Sequence, residues 1–274
     1  MNRETNPDFT TVQRLRRFLR RISVSITPNV GNNICFMHVP KCGGNSIITA
    51  LHSVTPIQKE VAWITPRESR MAVSMSAGPI IDEARFHDDS PNGALVYEFR
   101  RNLLRYYLTR NACCISGHFL FDARAFEEFN TSYYWITVLR CPIERMISHF
   151  REEVRSGFVE DDFEKYLDSE MASFHGTILT RYLSGEIKPV GSCVNSATER
   201  AKKNLSKFSL VGFTDQLRDF EHRLSMLIGR RLSIEHKRIA TTPPPEISSG
   251  LKKKLTAFCE SDLEVFDYAK YLDR

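Results

Sequence analysis

Four short apolar segments, rich in β-branched and aromatic residues, predict the strands of this chain: 33–39, 112–117, 133–139 and 209–213. After each of the first three, apolar residues recur at steps of three and four, which is the period of an amphipathic helix. Strands that alternate with helices predict an α/β fold with a mainly parallel central sheet covered by helices on both faces.

The helical pattern is plainest in CPIERMISHFREEVRSG, residues 141–157, where a proline stands in the first turn and a glycine follows the end. Further helices are predicted over 161–206, with a break at 188–192, and over 248–272, after the proline-rich stretch 241–248. Residues 53–100 give a weak and mixed signal, so 53–110 are predicted to be a variable insertion and the expected acceptor region.

Length and composition favour a single domain. With 274 residues and 42% hydrophobic composition the chain can build one large core, and no shift in composition divides it. We therefore expect a basic N-terminal extension over 1–30 and one domain over 31–274. Residues 11–26 of the extension have the pattern of a basic amphipathic helix, expected to dock on the domain, with contact to an anionic membrane surface as the alternative.

Charge and cysteine content exclude some classes of function. The formal net charge of +5 favours anionic ligands, but the excess is small and evenly spread, so a nucleic-acid partner is not expected. The seven cysteines show no paired zinc-type spacing, and no metal is expected. Neither an apolar run of about 18 residues nor a secretory signal is found, so we expect a cytoplasmic protein without a transmembrane segment.

The stretch CFMHVPKCGGNSIITAL, residues 35–51, has the features of an anion cradle. Gly43 and Gly44 allow a tight turn, and a helix that begins near Asn45 and Ser46 directs its N–H groups and positive end at one point. Lys41 precedes the glycines, whereas the lysine of an ordinary P-loop follows them, which argues against an ordinary ATPase or kinase. A plain strand-to-helix turn with a surface lysine remains the alternative.

A second segment, WITVLRCPIERMISHF, ends a strand at Arg140 and places Ser148 two turns into the next helix. An arginine at a strand end suits a second phosphate, because ligands of open parallel sheets bind beyond the carboxyl ends of the strands. The alternative for Arg140 is an ion pair with Glu144, four residues later.

Together these segments resemble sulfotransferases that use 3′-phosphoadenosine 5′-phosphosulfate (PAPS). HVPKCGGNSI resembles their 5′-phosphosulfate loop and VLRCPIERMISHF their 3′-phosphate motif. ISGHFLF, FHGTILTRYLSG and LVGFTDQLRDFEHRLSML resemble segments of the branch with carbohydrate and heparan-sulfate 2-O enzymes (sulfotransferase family 2) and its soluble bacterial-type members. The resemblance runs from Asn33 to the end of the chain, with 53–110 the poorest match; it departs from the common pattern at Cys42, Asn45 and Cys141.

The resemblance implies a three-layer P-loop-like fold and transfer of a sulfuryl group from PAPS, with 3′-phosphoadenosine 5′-phosphate (PAP) as product and no metal required. Lys41 would stabilise the leaving phosphate and His118 would act as general base, with Glu144 or Asp122 as alternatives and His38 as a core residue. The donor-binding residues implied are Lys41, Cys42, Gly43, Gly44, Asn45, Ser46, Arg140 and Ser148.

The acceptor would be a small molecule or glycan that offers a hydroxyl, or an amine. FRRNLLRYYLTR, residues 99–110, mixes arginines with tyrosines, as suits an anionic or sugar-like ligand, although a solvated helix face has the same pattern. Arg101, Arg105 and Arg181 are the candidate acceptor residues, and 236–238 could close over a ligand. The alternative functions are a P-loop-type kinase and a non-catalytic binder of nucleotides or sulfated glycans. For the location, the alternative to the cytoplasm is a Golgi-luminal catalytic domain with its anchor removed; the oligomeric state stays open.

Overall fold

The computed structural model describes residues 31–77, 91–188, 193–235 and 247–273, together with positions 15, 18, 19, 21–23 and 191. Within these residues five parallel strands form one sheet in the order β2-β3-β1-β4-β5. The predicted fold class, α/β with a mainly parallel central sheet between helices, is confirmed. The strands are β1 (Asn33–Met37), β2 (Val61–Ile64), β3 (Cys114–Gly117), β4 (Tyr133–Leu139) and β5 (Leu210–Phe213).

Helices join and cover the strands. In chain order they are α1 (Gly44–Val54), α2 (Pro66–Ala77), α3 (Pro91–Thr109), α4 (Ala123–Phe129), α5 (Pro142–Arg155), α6 (Phe163–Leu167), α7 (Glu170–His175), α8 (Ile178–Ser184), α9 (Cys193–Leu205), α10 (Leu217–Leu227), α11 (Ser249–Phe258) and α12 (Glu260–Leu272).

The sheet separates two apolar cores, as the alternation of side chains along β1 requires. Cys35 and Met37 pack into one core with Trp135, whereas Ile34 and Phe36 pack into the other. Because both faces are buried, the strands have continuous apolar sequences. A third apolar cluster lies among α5, α6, α7 and α11 and holds α5 in place at the edge of the site described below.

The four predicted strands are all present, with ends that differ by one to two residues except at 133–139, which is unchanged. No pattern in the sequence predicts β2, an edge strand of four residues whose Trp63 is partly exposed. The segment 53–110 thus contributes β2, α2 and α3. The final helical region is two helices, because the chain turns at Cys259.

At the N-terminus, the described positions among 15–23 are helical, and Arg21 donates to the carbonyls of Thr55 and Pro56 at 3.1 and 3.2 Å. The rest of the predicted extension and the segment 236–246 lie outside the described residues. Among the helices that the structure describes, none is both long enough and apolar enough to cross a membrane.

Candidate functional site

A cavity of about 490 Å³ opens at the carboxyl ends of β1, β3 and β4, where ligands of open parallel sheets bind. Its volume lies in the range of roughly 300–1,000 Å³ that is usual for small-molecule sites. The residues that line it are His38, Pro40, Lys41, Gly43, Gly44, Asn45, Ser46, Pro66, Arg70, Arg100, His118, Arg140, Ser148, His149, Glu152 and Tyr182.

The loop between β1 and α1 forms one wall of the cavity. Lys41 and Gly43 both have left-handed backbone conformations, with φ of 66° and 71°, which fold the chain sharply before α1 begins at Gly44. The first N–H groups of a helix have no partner inside the helix, and here they belong to residues that line the cavity. Together with the helix dipole they favour an anion.

His38 supports this loop from beneath. A Cβ atom on Gly44 would overlap the His38 imidazole, so the close approach of the two residues requires glycine at position 44. Burial, and secondarily the charge of Lys41, lowers the pKa of His38 to about 3. The imidazole is therefore neutral at physiological pH and adds no charge beneath the cradle.

Lys41 is held by a carboxylate inside the cavity. Its Nζ atom lies 3.3 Å from Oε2 of Glu152, and the two side chains are 24% and 33% exposed. Glu152 also pairs with Arg155, one turn further along α5. The lysine is therefore positioned at the cavity wall by a partner that a bound anion would have to compete with.

The opposite wall comes from the end of β4 and from α5. Arg140 follows β4 directly and its Nε atom lies 3.3 Å from Oε2 of Glu144, so the ion pair considered in the sequence analysis is present. Arg140 nevertheless lines the cavity. Ser148 and Glu152, four residues apart on α5, share the helix face that borders the cavity.

The third side is formed by His118 and two arginines. The His118 ring lies 4.2 Å from the His38 ring, centroid to centroid, and its carbonyl oxygen accepts a hydrogen bond of 3.4 Å from Arg100 Nη1. Arg100 is almost wholly buried, and burial lowers the pKa of its guanidinium, although an arginine keeps its charge at neutral pH. Arg70, from α2, completes this side.

The cavity is strongly cationic. Four cationic side chains line it, against one carboxylate among the described lining residues. The cations are Lys41, Arg70, Arg100 and Arg140, and the carboxylate is Glu152. A surplus of guanidinium and ammonium groups around a helix N-terminus selects anions, because each group gains more from a charged oxygen than from water in a partly enclosed site. The site is thus built for a ligand with more than one negative group.

Seven of the eight predicted donor-binding residues line the cavity. The exception is Cys42, which is buried in the core and whose Sγ atom lies 3.7 Å from the Pro40 carbonyl oxygen. Burial raises the pKa of its thiol to about 12, so it stays protonated.

The three predicted acceptor residues do not line the cavity. Arg101 pairs with Glu98 and donates to Gly185, Arg105 pairs with Asp122 at 2.7 Å, and Arg181 donates to Thr177 and Ile187.

The two carboxylates considered as alternative bases also lie elsewhere. Asp122 caps α4 by accepting from Ala125 N, and Glu144 is mostly exposed beside Arg140. His118 therefore remains the base candidate at the cavity.

Glu152, Arg70 and Tyr182 are among the lining residues that the sequence analysis did not single out. Glu152 could have been found, since it stands four residues after Ser148 and thus on the same face of a well-predicted helix. Arg70 lies in a segment without clear periodicity. Tyr182 directly follows Arg181, the residue of FHGTILTRYLSG that the sequence analysis names as a candidate.

No protein-family model and no curated protein matches the chain. A sulfotransferase from Alicyclobacillus acidocaldarius is similar in structure with a TM-score of 0.43 and 16% identity, over 89% of this chain and 96% of that one. A chain of the PezAT toxin–antitoxin system from Streptococcus pneumoniae has a TM-score of 0.35 and 13% identity, over 95% and 99%. Similarities of this size do not show a family, so the function has to be inferred from the site.

Proposed function

We propose that this protein is a PAPS-dependent sulfotransferase, which transfers a sulfuryl group to a hydroxyl, or an amine, of a carbohydrate or small metabolite. The observation that carries the proposal is the meeting of two separate anion-binding segments at one cavity. One follows β1 and contains Lys41 and Ser46; the other follows β4 and contains Arg140 and Ser148. β1 and β4 are neighbours in the sheet.

Two segments suit a donor with phosphate groups at two positions of its ribose. The cradle after β1 would take the 5′-phosphosulfate, since helix N–H groups and a lysine are the usual partners of such a group. Arg140 and Ser148 would take the 3′-phosphate, which ADP and ATP lack. A nucleotide with a single chain of phosphates would leave one of the two segments without a partner.

Sulfuryl transfer would break the bond between sulfur and the bridging oxygen of the donor and form a bond from sulfur to the acceptor oxygen or nitrogen. The electron pair of the broken bond remains on the phosphate of PAP, and Lys41 would stabilise the charge that develops there. His118 would accept the proton that the acceptor loses. By analogy with phosphoryl transfer, positioning and charge stabilisation supply most of the catalysis, without covalent chemistry by the protein.

Arg70 and Arg100 border the side of the cavity that contains His118. An acceptor whose hydroxyl reached His118 would bring its polar groups against these two arginines. They replace Arg101, Arg105 and Arg181 as our candidates for acceptor contact, because those three are engaged outside the cavity.

A kinase is the first competing function. Phosphoryl transfer from ATP uses Mg²⁺, which is held by a carboxylate together with a P-loop hydroxyl or amide ligand. Glu152 is the only carboxylate among the described lining residues, and Lys41 is paired with it. A non-catalytic binder is the second competitor, and it would bind the nucleotide without turning it over.

Calorimetric titration with PAP and, in parallel, with ADP tests the donor. We expect micromolar binding of PAP and binding of ADP that is weaker by tenfold or more, because the Arg140 segment recognises the 3′-phosphate. Equal binding of the two, or none, would refute the proposal. Labelled PAPS with a panel of sugars and small alcohols then separates the enzyme from a non-catalytic binder, which would release no PAP.

A further inference from the structure

At the α5 wall of the cavity, where His149 is one of the lining residues, two histidines and a glutamate come together from two helices. His149 and Glu153 stand one turn apart on α5, and His175 ends α7. Each offers a ligand atom, and the three atoms all lie within 4.8 Å of one another. His149 Nε2 lies 3.3 Å from Glu153 Oε1, and the two imidazole rings stack with centroids 3.6 Å apart.

We propose that His149, Glu153 and His175 form a binding site for a divalent transition metal of the zinc type. Two imidazoles and one carboxylate make up a ligand set that binds Zn²⁺ with three protein ligands and leaves a position for a water or another donor. The inference goes beyond the proposed function, because sulfuryl transfer as described needs no metal. It does not depend on that function either.

The surroundings of His175 have the arrangement expected around a metal-bound histidine. Its Nδ1 atom lies 2.6 Å from the Tyr166 hydroxyl. When the ring donates Nδ1–H to that oxygen, Nε2 carries a lone pair and becomes the ligand atom. A hydrogen bond on the second ring nitrogen is the common way in which proteins fix the orientation and tautomer of a metal-binding histidine.

Burial strengthens the case. His175 is wholly buried, His149 is 6% exposed, and the Glu153 side chain is 13% exposed. Two histidines and a carboxylate taken out of water and packed together need partners of opposite or complementary character. A divalent cation bound by all three would neutralise the Glu153 carboxylate and accept a lone pair from each imidazole.

Closing the site would require rotation of the side chains. In a tetrahedral zinc site with bonds of ~2.1 Å, ligand atoms lie about 3.4 Å apart, so the three ligand atoms, which lie within 4.8 Å of one another, would have to move closer together. The two imidazole rings, stacked at 18° to each other, would also have to turn so that a nitrogen of each directs its in-plane lone pair at the same ion. Arg145 donates to the carbonyl oxygen of His175. The positive charges of Lys41 and Arg70 act on Glu153 and repel a cation bound there. The measured metal affinity is therefore the balance between this repulsion and the bonds from the three ligands.

Titration of the chelator-treated full-length protein with Co²⁺, followed by competition with Zn²⁺, tests the site. We expect one Co²⁺ per chain, with visible absorption typical of nitrogen and oxygen ligands, and complete displacement by Zn²⁺. A thiolate-to-cobalt band in the near ultraviolet would instead indicate binding at a cysteine, of which Cys193 is exposed. Zn²⁺ at 100-fold excess over its Kd should raise Tm by about 5 °C or more.

Glu153→Gln keeps the shape of the side chain and removes the anionic ligand, and His175→Asn removes a nitrogen ligand; each should weaken Co²⁺ binding at least tenfold. His222→Asn is the matched control, because His222 is exposed on α10 and belongs to no ligand cluster among the described residues. Circular dichroism verifies that each variant is folded. Absence of stoichiometric metal in the wild type, or binding that survives Glu153→Gln unchanged, would overturn the proposal.

Discussion

The ammonium of Lys41 and the carboxylate of Glu152 lie 3.3 Å apart at the wall of the cationic cavity. This pair joins the loop after β1 to the helix after β4, the two segments that we assign to the two ends of the donor. A carboxylate in this position repels a phosphate and competes with it for the lysine. The pair therefore holds Lys41 in place at a cost in affinity for an anionic ligand, including the nucleotide that we propose.

Replacing Glu152 by glutamine should tighten PAP binding. Removal of the charge abolishes the repulsion and releases Lys41, and a partly exposed charge pair of this kind contributes on the order of 1 kcal/mol, or about threefold to tenfold in Kd. Calorimetry measures the change. Glu160→Gln, which makes the same change in net charge at an exposed ion pair, should leave the Kd as it is. Weaker binding in the Glu152 variant would mean that the carboxylate is needed to position the lysine.

Lys41→Ala should lower turnover by about 10²- to 10³-fold, because the lost group acts where charge develops in the transition state. PAP binding should weaken much less, since the helix N–H groups of the cradle remain. Single-turnover rates with PAPS measure the first effect and calorimetry the second. A rate near that of the wild type would remove Lys41 from the mechanism.

The general base is tested by His118→Ala, which should lower turnover by about 10²- to 10⁴-fold with little change in the Kd of PAP. Asp122→Asn provides the comparison. Asp122 lies away from the cavity, where it caps α4 and pairs with Arg105, so its loss should reduce stability and spare the rate of transfer. A reversal of the two phenotypes would assign the base to Asp122.

Each element of this fold can be predicted from the sequence to the extent that its own segment has a long, regular pattern of apolar residues. β4 is seven residues long, continuous and apolar, and was predicted to the residue. β2 has four residues at the edge of the sheet, too few for periodicity, and its existence depends on pairing with β3. The turn within the final helical region was missed, because nothing in its composition interrupts a helix as proline would.

Those parts of the cavity whose residues come from one continuous segment could be predicted from the sequence. The cradle and the Arg140 segment are continuous stretches, so their residues could be named. The side of the cavity that we propose for the acceptor combines α2, α3 and the end of β3, whose proximity is a property of the tertiary structure. Arg101 and Arg100 are adjacent in sequence, yet Arg100 reaches the cavity while Arg101 pairs with Glu98, because neighbouring residues of a helix point in directions about 100° apart.

Arg140→Ala should raise the Kd of PAP by about tenfold to 100-fold, as expected when charge-assisted hydrogen bonds of roughly 1.5–3 kcal/mol are lost. ADP binding should change little, since ADP has no 3′-phosphate. Arg101→Ala, an equal change of charge outside the cavity, serves as the matched control and should leave the affinity for PAP unchanged. Equal losses for PAP and ADP would contradict the assignment of Arg140 to the 3′-phosphate.

The packing of His38 beneath the cradle makes Gly44 intolerant of any side chain. In Gly44→Ala the new methyl group would overlap the buried imidazole, so we expect a loss of about 1–3 kcal/mol in the free energy of unfolding and weaker PAP binding as the loop shifts. Urea denaturation measures the stability. Gly250→Ala, in the first turn of α11 with open space around it, should be neutral or slightly stabilising.

The double variant His38→Ser, Gly44→Ala removes the overlap and should recover part of the loss, giving a coupling energy between the two positions. Simple addition of the two single effects would show that His38 does not cause the requirement for glycine at position 44.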